Sequence, residues 1–220
     1  MQPWRFEQSH GDAGAFHTAD PVAERSATFH TVQRPTLVLG STQTDDSFDP
    51  GAAVDLGVEV VRRRSGGGAV LLMPGEFVWL DLVIPTGDPL WSADVGASMV
   101  WVGELWQRSL ATLGEGAASV VHCGPLVRSQ WSGAVCWAGV GTGELMGGAN
   151  ERVGKLVGVS QRRTRDWVRF QSMCHLQWRP EMVASLVAPP KPMIADLAPV
   201  AAVVTVAESV LRSALVDQLP

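Results

Sequence analysis

Residues 62–70, Arg62-Arg63-Arg64-Ser65-Gly66-Gly67-Gly68-Ala69-Val70, constrain this chain more than any other stretch. Three cationic side chains run directly into three glycines, and an apolar segment follows. Glycine has no Cβ, so the N–H groups of Gly66, Gly67 and Gly68 can close on an anionic ligand without steric conflict. Arginine forks supply charge-assisted donors suited to phosphate or carboxylate. Two readings fit the segment. One is a cradle for a flat-edged anion such as an acyl-adenylate. The other is a glycine-rich hairpin between two strands with a solvated basic rim. The directly adjoining arginines favour the cradle.

The chain has 220 residues, enough for one full core or one domain with a small appendage. Its hydrophobic fraction of 46% fits a globular protein. No run approaches the roughly 20 apolar residues that span a bilayer. The net charge of −5 argues against nucleic-acid binding. Cys123, Cys136 and Cys174 show no CxxC spacing, which fits reduced thiols in a cytoplasm. No His/Cys cluster has zinc-ligand spacing, so no metal ligand is assigned. The first residues lack a basic region followed by an apolar core, so no secretory signal is expected.

Residues 1–20 read as a loosely ordered tail carrying His10 and His17. Asp20 and Pro21 read as the N-cap and first turn of a short helix over 21–32. Strands are expected at 36–40, 58–62, 69–73 and 77–84, with a short helix over 52–56. The last of these strands is apolar on both faces except at Asp81, as in a covered central strand. Residues 92–113 form the best helix, with Met99, Val102, Leu105, Trp106, Leu110 and Leu113 on one face. Strands are expected at 120–123, 134–140, 144–146, 155–160 and 168–178. A proline-rich break at 189–192 precedes a closing helix over 202–219. Asp45, Asp46 and Asp49 read as a capped, solvated turn.

A second constellation is Gly154-Lys155-Leu156-Val157-Gly158-Val159-Ser160-Gln161-Arg162-Arg163. Its residues alone fit an ordinary strand with a surface lysine. They also fit an amine that stabilises charge on a carboxylate, a phosphate or a leaving group. The segment 62–70 resembles the Arg-Arg-x-Ser-Gly-Gly-Gly-Ala-Val signature of the lipoate–protein ligase A family. The segment 154–163 resembles that family's second signature. The resemblance implies that Lys155 is the essential lysine and that Gly158 and Ser160 border the acyl-adenylate. It places Arg62, Arg63, Ser65, Gly66, Gly67, Gly68 and Ala69 around the same ligand. The segment Ala138-Gly139-Val140-Gly141-Thr142-Gly143-Glu144 is similar to a family loop ending in an acidic residue, which implies that Glu144 lies near the lysine.

The chain departs from the family pattern in places. A family histidine becomes Leu72, and an asparagine becomes Glu76, at positions that border the acyl pocket. A His-His-Gly or Gln-His-Gly becomes Gln171-Ser172-Met173. Cys174 lies in the region where octanoyltransferases of the superfamily carry a thioester. It reads either as that nucleophile or as a small buried hydrophobe. His175, adjacent on a strand, would point to the opposite face.

The resemblance implies an α/β (α+β) fold: a mixed, mostly antiparallel sheet with packed helices, as in biotin/lipoate ligase catalytic domains. The expected division is a tail over 1–20, a catalytic domain over 21–188, and a break with a closing helix over 189–220, too short for the family's accessory domain. The implied activity is protein lipoylation. A ligase would activate lipoate or octanoate with ATP and Mg2+ and pass it to a lysine of a lipoyl domain. The acceptor would be a 2-oxoacid dehydrogenase E2 or glycine cleavage H protein. Two alternatives stand beside it. One is an ATP-independent octanoyltransferase using an acyl-carrier protein and Cys174, with no cofactor. The other is a non-catalytic binder of acyl ligands or lipoyl domains. No nucleic acid or membrane is expected as a partner.

Overall fold

The computed structural model describes residues 3–116, 118–148 and 153–220. The elements in chain order are β1 (Arg5–Gly11), α1 (Ala13–Thr18), β2 (Ser26–Val32), β3 (Thr36–Leu39), α2 (Pro50–Asp55), β4 (Glu59–Arg62), β5 (Val70–Leu72), β6 (Phe77–Pro85), α3 (Ala97–Thr112), β7 (Val120–Val121), β8 (Leu145–Gly147), β9 (Gly154–Arg163), β10 (Trp167–His175), α4 (Pro180–Leu186), α5 (Ile194–Leu197) and α6 (Glu208–Asp217). A large sheet has the order β1-β2-β6-β10-β9-β8-β7, and a small one the order β4-β3-β5. Among the described strands, only β1/β2 and β3/β4 pair in parallel. The fold is therefore the mixed, mostly antiparallel α/β arrangement expected.

The strand β6 is central, with β2 on one side and β10 on the other. Both faces are covered, which explains its apolar run. One face packs under α3 and α6, where Val102, Leu105, Trp106, Leu110, Leu211 and Leu215 are buried against Val78, Leu80, Leu82 and Phe170. The opposite face meets the small sheet. There Val38, Leu72, Phe77 and Trp79 form a second core with Ala13 and Val32.

Several expectations change. Residues 5–18 are no tail: β1 extends the large sheet, and α1 is capped by Asp12, whose side chain accepts from the Ala15 N–H at 2.8 Å. Met1 and Gln2 lie outside the described residues. The helix expected over 21–32 is strand β2. The Ala27-Thr28-Phe29-His30-Thr31-Val32 run is rich in β-branched and aromatic residues, and that preference outweighs the Asp-Pro signal. Asp20 instead pairs with Arg64 at 2.7 Å and also contacts Arg162. Residues 134–140 are not a strand. They make single bridges to Ala69 and Val127 around a 3₁₀ turn at Cys136–Ala138. The C-terminal stretch is woven into the core. The Lys155 N–H donates to Val200 O at 2.9 Å, and the Val204 N–H donates to His175 O at 2.9 Å.

Two histidines are buried in this framework. His17 on α1 stacks on Trp79 with ring centroids 4.6 Å apart. His175 at the end of β10 lies between Trp137 and Trp178, at 4.4 and 5.0 Å. Burial pushes His17 down to about 4 and His175 down to about 3. Both folded values lie below the unfolded value of about 6.5, so the unfolded state binds more protons as pH falls. Their contribution to stability is full above pH 6.5 and is lost as pH drops toward 4 and 3. Thermal melts should therefore lose roughly a few kcal/mol of stability across that window. A His175→Phe variant should melt with a shallower acid slope than the parent, and an unchanged slope would exclude His175 as a contributor.

Candidate active site

A cavity of about 430 Å³ lies between the two sheets. Gly66, Gly67 and Gly68 line it from the loop between β4 and β5, and Lys155 and Glu144 line it from β9 and the loop before β8. The glycine cradle and the distant lysine thus face one space. Val38, Val70, Leu72, Trp79 and Met173 supply apolar wall, and Arg128, Ser132 and Ser160 supply polar wall.

Lys155 reaches this space because of a local irregularity. The pairing of β8 with β9 shifts register between Leu145 and Met146. Leu156 and Val157 are consecutive, yet both belong to the helix-side core. A bulge of this kind sets two neighbouring side chains on one face. Lys155 consequently shares the cavity face with Gly158 and Ser160 instead of pointing into the core under α3. Its ammonium is 1% exposed, lies 2.7 Å from Glu144 Oε2, and donates to the Cys136 carbonyl at 2.9 Å. The Trp137 ring lies under the charge at 5.4 Å. An ammonium has three N–H donors, so one remains for a ligand.

Glu144 is held as firmly. Its Oε2 accepts from the Gly141 N–H at 2.6 Å, and its Oε1 accepts from the Val159 N–H at 3.4 Å. The Trp137 indole N–H donates to the Lys155 carbonyl at 3.1 Å. Gly158 is small because a Cβ there would sit 3.0 Å from the Trp137 ring. Tight packing also fixes the glycine loop. A Cβ on Gly68 would fall 2.7 Å from the Val135 backbone, and Gly67 has φ +96°.

The arginines behave differently from expectation. Arg62 does not line the cavity. It pairs with Asp45 at 2.7 Å and donates to the Gln43 carbonyl. Arg63 is buried at the cavity wall but spends its fork on the protein, donating to Gly66 O and Gly68 O at 2.8 Å each and to Val38 O at 3.2 Å. It therefore shapes the loop that the sequence reading had it assist. Ser65 faces Ser160 at 3.4 Å, which ties the glycine loop over β9. Ala69 pairs through its backbone with Ala134 and Cys136 and does not line the cavity. Gln43 braces the same loops, accepting from the Gly40 N–H at 2.9 Å.

Cys174 is absent from the cavity wall. It is 0% exposed in the core under α3 and α6, and burial pushes its thiol up to about 12. The neighbours on β10 explain this, since the side chains of Gln171 and Met173 face the cavity, while Phe170 and Cys174 lie in the helix-side core and the Ser172 hydroxyl accepts from the Trp106 N–H of α3 at 2.9 Å. Leu72 does line the cavity, whereas Glu76 pairs with Arg179 at 2.7 Å elsewhere. Sequence reasoning missed His17, Trp79, Trp137 and Arg128 as wall residues. His17, Arg128 and Trp137 carried no local motif, and Trp79 sat in a strand that read as covered on both faces.

The family model for the lipoyl protein ligase A/B catalytic domain matches residues 15–213. Solved structures share the fold at low identity. The bi-partite lipoate protein ligase of Thermoplasma acidophilum superposes with TM-score 0.73 at 14% identity, over 99% of this chain and 82% of that one. A putative lipoate protein ligase from the same organism, with bound lipoic acid, gives 0.70 at 15% identity over 99% and 84%. A lipoate-protein ligase A bound with ATP gives 0.71 at 16% over 99% and 84%. No curated protein sequence matches the chain. With the family model spanning nearly the whole chain, the protein belongs to the lipoyl protein ligase A/B catalytic domain family and is an enzyme of the lipoate ligase/transferase type.

Proposed function

We propose that this protein activates lipoate, or an acid of similar length, with ATP and transfers the acyl group to a lysine of a lipoyl domain. The observation that carries the proposal is Lys155, buried and held at the wall of a mostly apolar cavity with one N–H left for a ligand. Apolar wall from Val38, Val70, Leu72 and Trp79 suits a hydrocarbon chain. The backbone of Gly66 to Gly68 suits a phosphate that must approach closely.

The reaction balances in two steps. A carboxylate oxygen of the acid attacks the α-phosphorus of ATP, the bond to the pyrophosphate breaks, and an acyl-adenylate remains. The neutral acceptor lysine amine then attacks the acyl carbon, the acyl–phosphate bond breaks, AMP leaves with the electron pair, and the nitrogen gives up one proton to solvent as the amide forms. Lys155 would contact the oxygens of both steps and stabilise the charge that grows there. Glu144 keeps that ammonium in place. Arg128, which has no protein partner among the described residues, would meet the phosphates from the cavity mouth. Glu144 is the one carboxylate among the described wall residues and is already taken by Lys155. Mg2+ would therefore travel with the nucleotide's phosphates.

The ligase reading has more support than the transferase that uses Cys174. A thioester needs a thiolate that meets the substrate, and Cys174 lies in hydrocarbon on the far face of β10. The printed descriptions of relatives with lipoic acid, with ATP and with an E2 lipoyl domain support the same ligands and acceptor here. Three free cysteines suit a reducing cytoplasm, and among the described residues no helix is long and apolar enough to cross a membrane.

Intact-mass measurement of a lipoyl domain incubated with lipoate should show the lipoyl increment only when ATP is supplied. Modification without ATP would overturn the ligase reading. Lys155→Ala should lower kcat on the order of 100-fold or more, the scale of losing one preorganised donor to developing charge. Cys174→Ala should keep wild-type turnover, and a loss comparable to that of Lys155→Ala in folded protein would restore the thioester route.

A further inference from the structure

One row of residues crosses the large sheet beneath the cavity. Gly158 on β9 pairs with Met173 on β10, Met173 pairs with Trp79 on β6, and Trp79 pairs with His30 on β2. Gly158, Met173 and Trp79 line the cavity. His30 is buried behind the Trp79 ring, 4.7 Å away between centroids, and is not part of the wall. Along this row the cavity is open over β9 and β10 and stops at Trp79.

The two ends of the row differ in chemistry. Glu144 Oε1 lies 3.6 Å from where a Cβ on Gly158 would stand, and Glu144 Oε2 lies 2.7 Å from Lys155 Nζ. The ammonium therefore belongs to the Gly158 end. So does the glycine loop. Ser65 faces Ser160, which follows Gly158 by two residues on β9. A Cβ on Gly67 would stand 3.8 Å from Cys136 Sγ, and the carbonyl of Cys136 is the one that Lys155 holds. At the opposite end Trp79 packs with Val38, Leu72 and Met173. The phosphate and carboxyl chemistry thus sits over β9, and the hydrocarbon points across β10 toward β6.

Two strand spacings separate Gly158 from Trp79, about 10 Å. An extended hydrocarbon advances roughly 1.2 Å per bond, a third of the reach of one extended residue, so the seven bonds of an eight-carbon acid cover about 8 to 9 Å. The ring at the end of this path is held in place. Its indole N–H donates to Asp81 Oδ1 at 2.7 Å, His17 stacks on it at 4.6 Å, and Phe16 meets it edge-on at 5.9 Å. A longer chain has no room to push it aside.

We infer that Trp79 is the end stop of the acyl path and limits the protein to acids of about eight main-chain carbons, the length of lipoate. This rests on the proposed acyl-acid site and names the chain length that the site takes. Met173, one strand closer to Lys155, is the floor that the chain crosses before it reaches the ring.

Calorimetry with hexanoic, octanoic, decanoic and dodecanoic acids tests this. Wild-type protein should bind octanoic acid more tightly than hexanoic acid, by about fourfold for each added methylene. Decanoic and dodecanoic acids should then bind at least about tenfold more weakly than octanoic acid, as expected of overpacking against a fixed wall. Trp79→Leu should move the limit outward, so that decanoic acid binds more tightly than octanoic acid. Met173→Phe should move it inward, so that octanoic acid binds more weakly than hexanoic acid. A loosened fold would weaken all four acids together and would not shift the limit in opposite directions. If Trp79→Leu does not fold, the inward shift in Met173→Phe decides alone. A gain that continues to decanoic acid in wild-type protein overturns the inference, as does a limit that stays at octanoic acid in either folded variant. Failure of every acid to bind wild-type protein overturns the acyl-acid site along with it.

Discussion

A buried ammonium next to a buried carboxylate governs this molecule. Lys155 and Glu144 lie 2.7 Å apart, and both are almost wholly removed from water. Two charges in such a place cost several kcal/mol each to desolvate, and the pair is tolerated only with good geometry and further hydrogen bonds. The surrounding structure meets both conditions. The Cys136 carbonyl and the Trp137 ring face the cation, while the Gly141 and Val159 N–H groups face the anion. Such a pair is poor evidence for stability but a strong device for holding one amine at one point in a cavity.

Placing that amine requires two departures from regular structure. The bulge at the start of β9 turns Lys155 out of the helix-side core and onto the cavity face. The 3₁₀ turn at Cys136–Ala138 then presents its carbonyl and its indole from above. Beside that turn, the glycine loop is shaped by Arg63 from within, and Gly68 is pressed against the Val135 backbone, where a side chain would collide. Flexible elements would lose this arrangement. Here each member is pinned by a strand or by a close backbone contact.

The core strands and the long helix α3 were legible because their signals are periodic and local. The expected convergence of Gly66–Gly68 with Lys155 on one space was also legible, through two long motifs rather than through any physical calculation. What was not legible depended on tertiary context. Arg62 and Arg63 have the residue types of a phosphate clamp, but the carbonyls and carboxylate that take up their donors lie in other segments. Cys174 reads two ways in the sequence, and strand parity in the assembled sheet selects the buried hydrophobe; at Lys155 the bulge inverts that parity. The first twenty residues looked like a tail because β1 gains its pairing only from β2, which was itself read as a helix. His17 was invisible for the same reason: its partners Gln171 and Trp79 are far away in the chain.

The central claim is that the Lys155 amine, the glycine loop and the apolar wall grip one acyl-nucleotide together. A crystal structure with a non-hydrolysable acyl-sulfamoyl adenosine tests this most directly. The account predicts the hydrocarbon chain against Trp79 and Leu72, the adenylate-like linkage under Gly66 to Gly68, and Lys155 Nζ within hydrogen-bonding distance of that linkage. An analogue bound outside the cavity, or one bound inside it with Lys155 still turned only to Glu144 and Cys136, would contradict it.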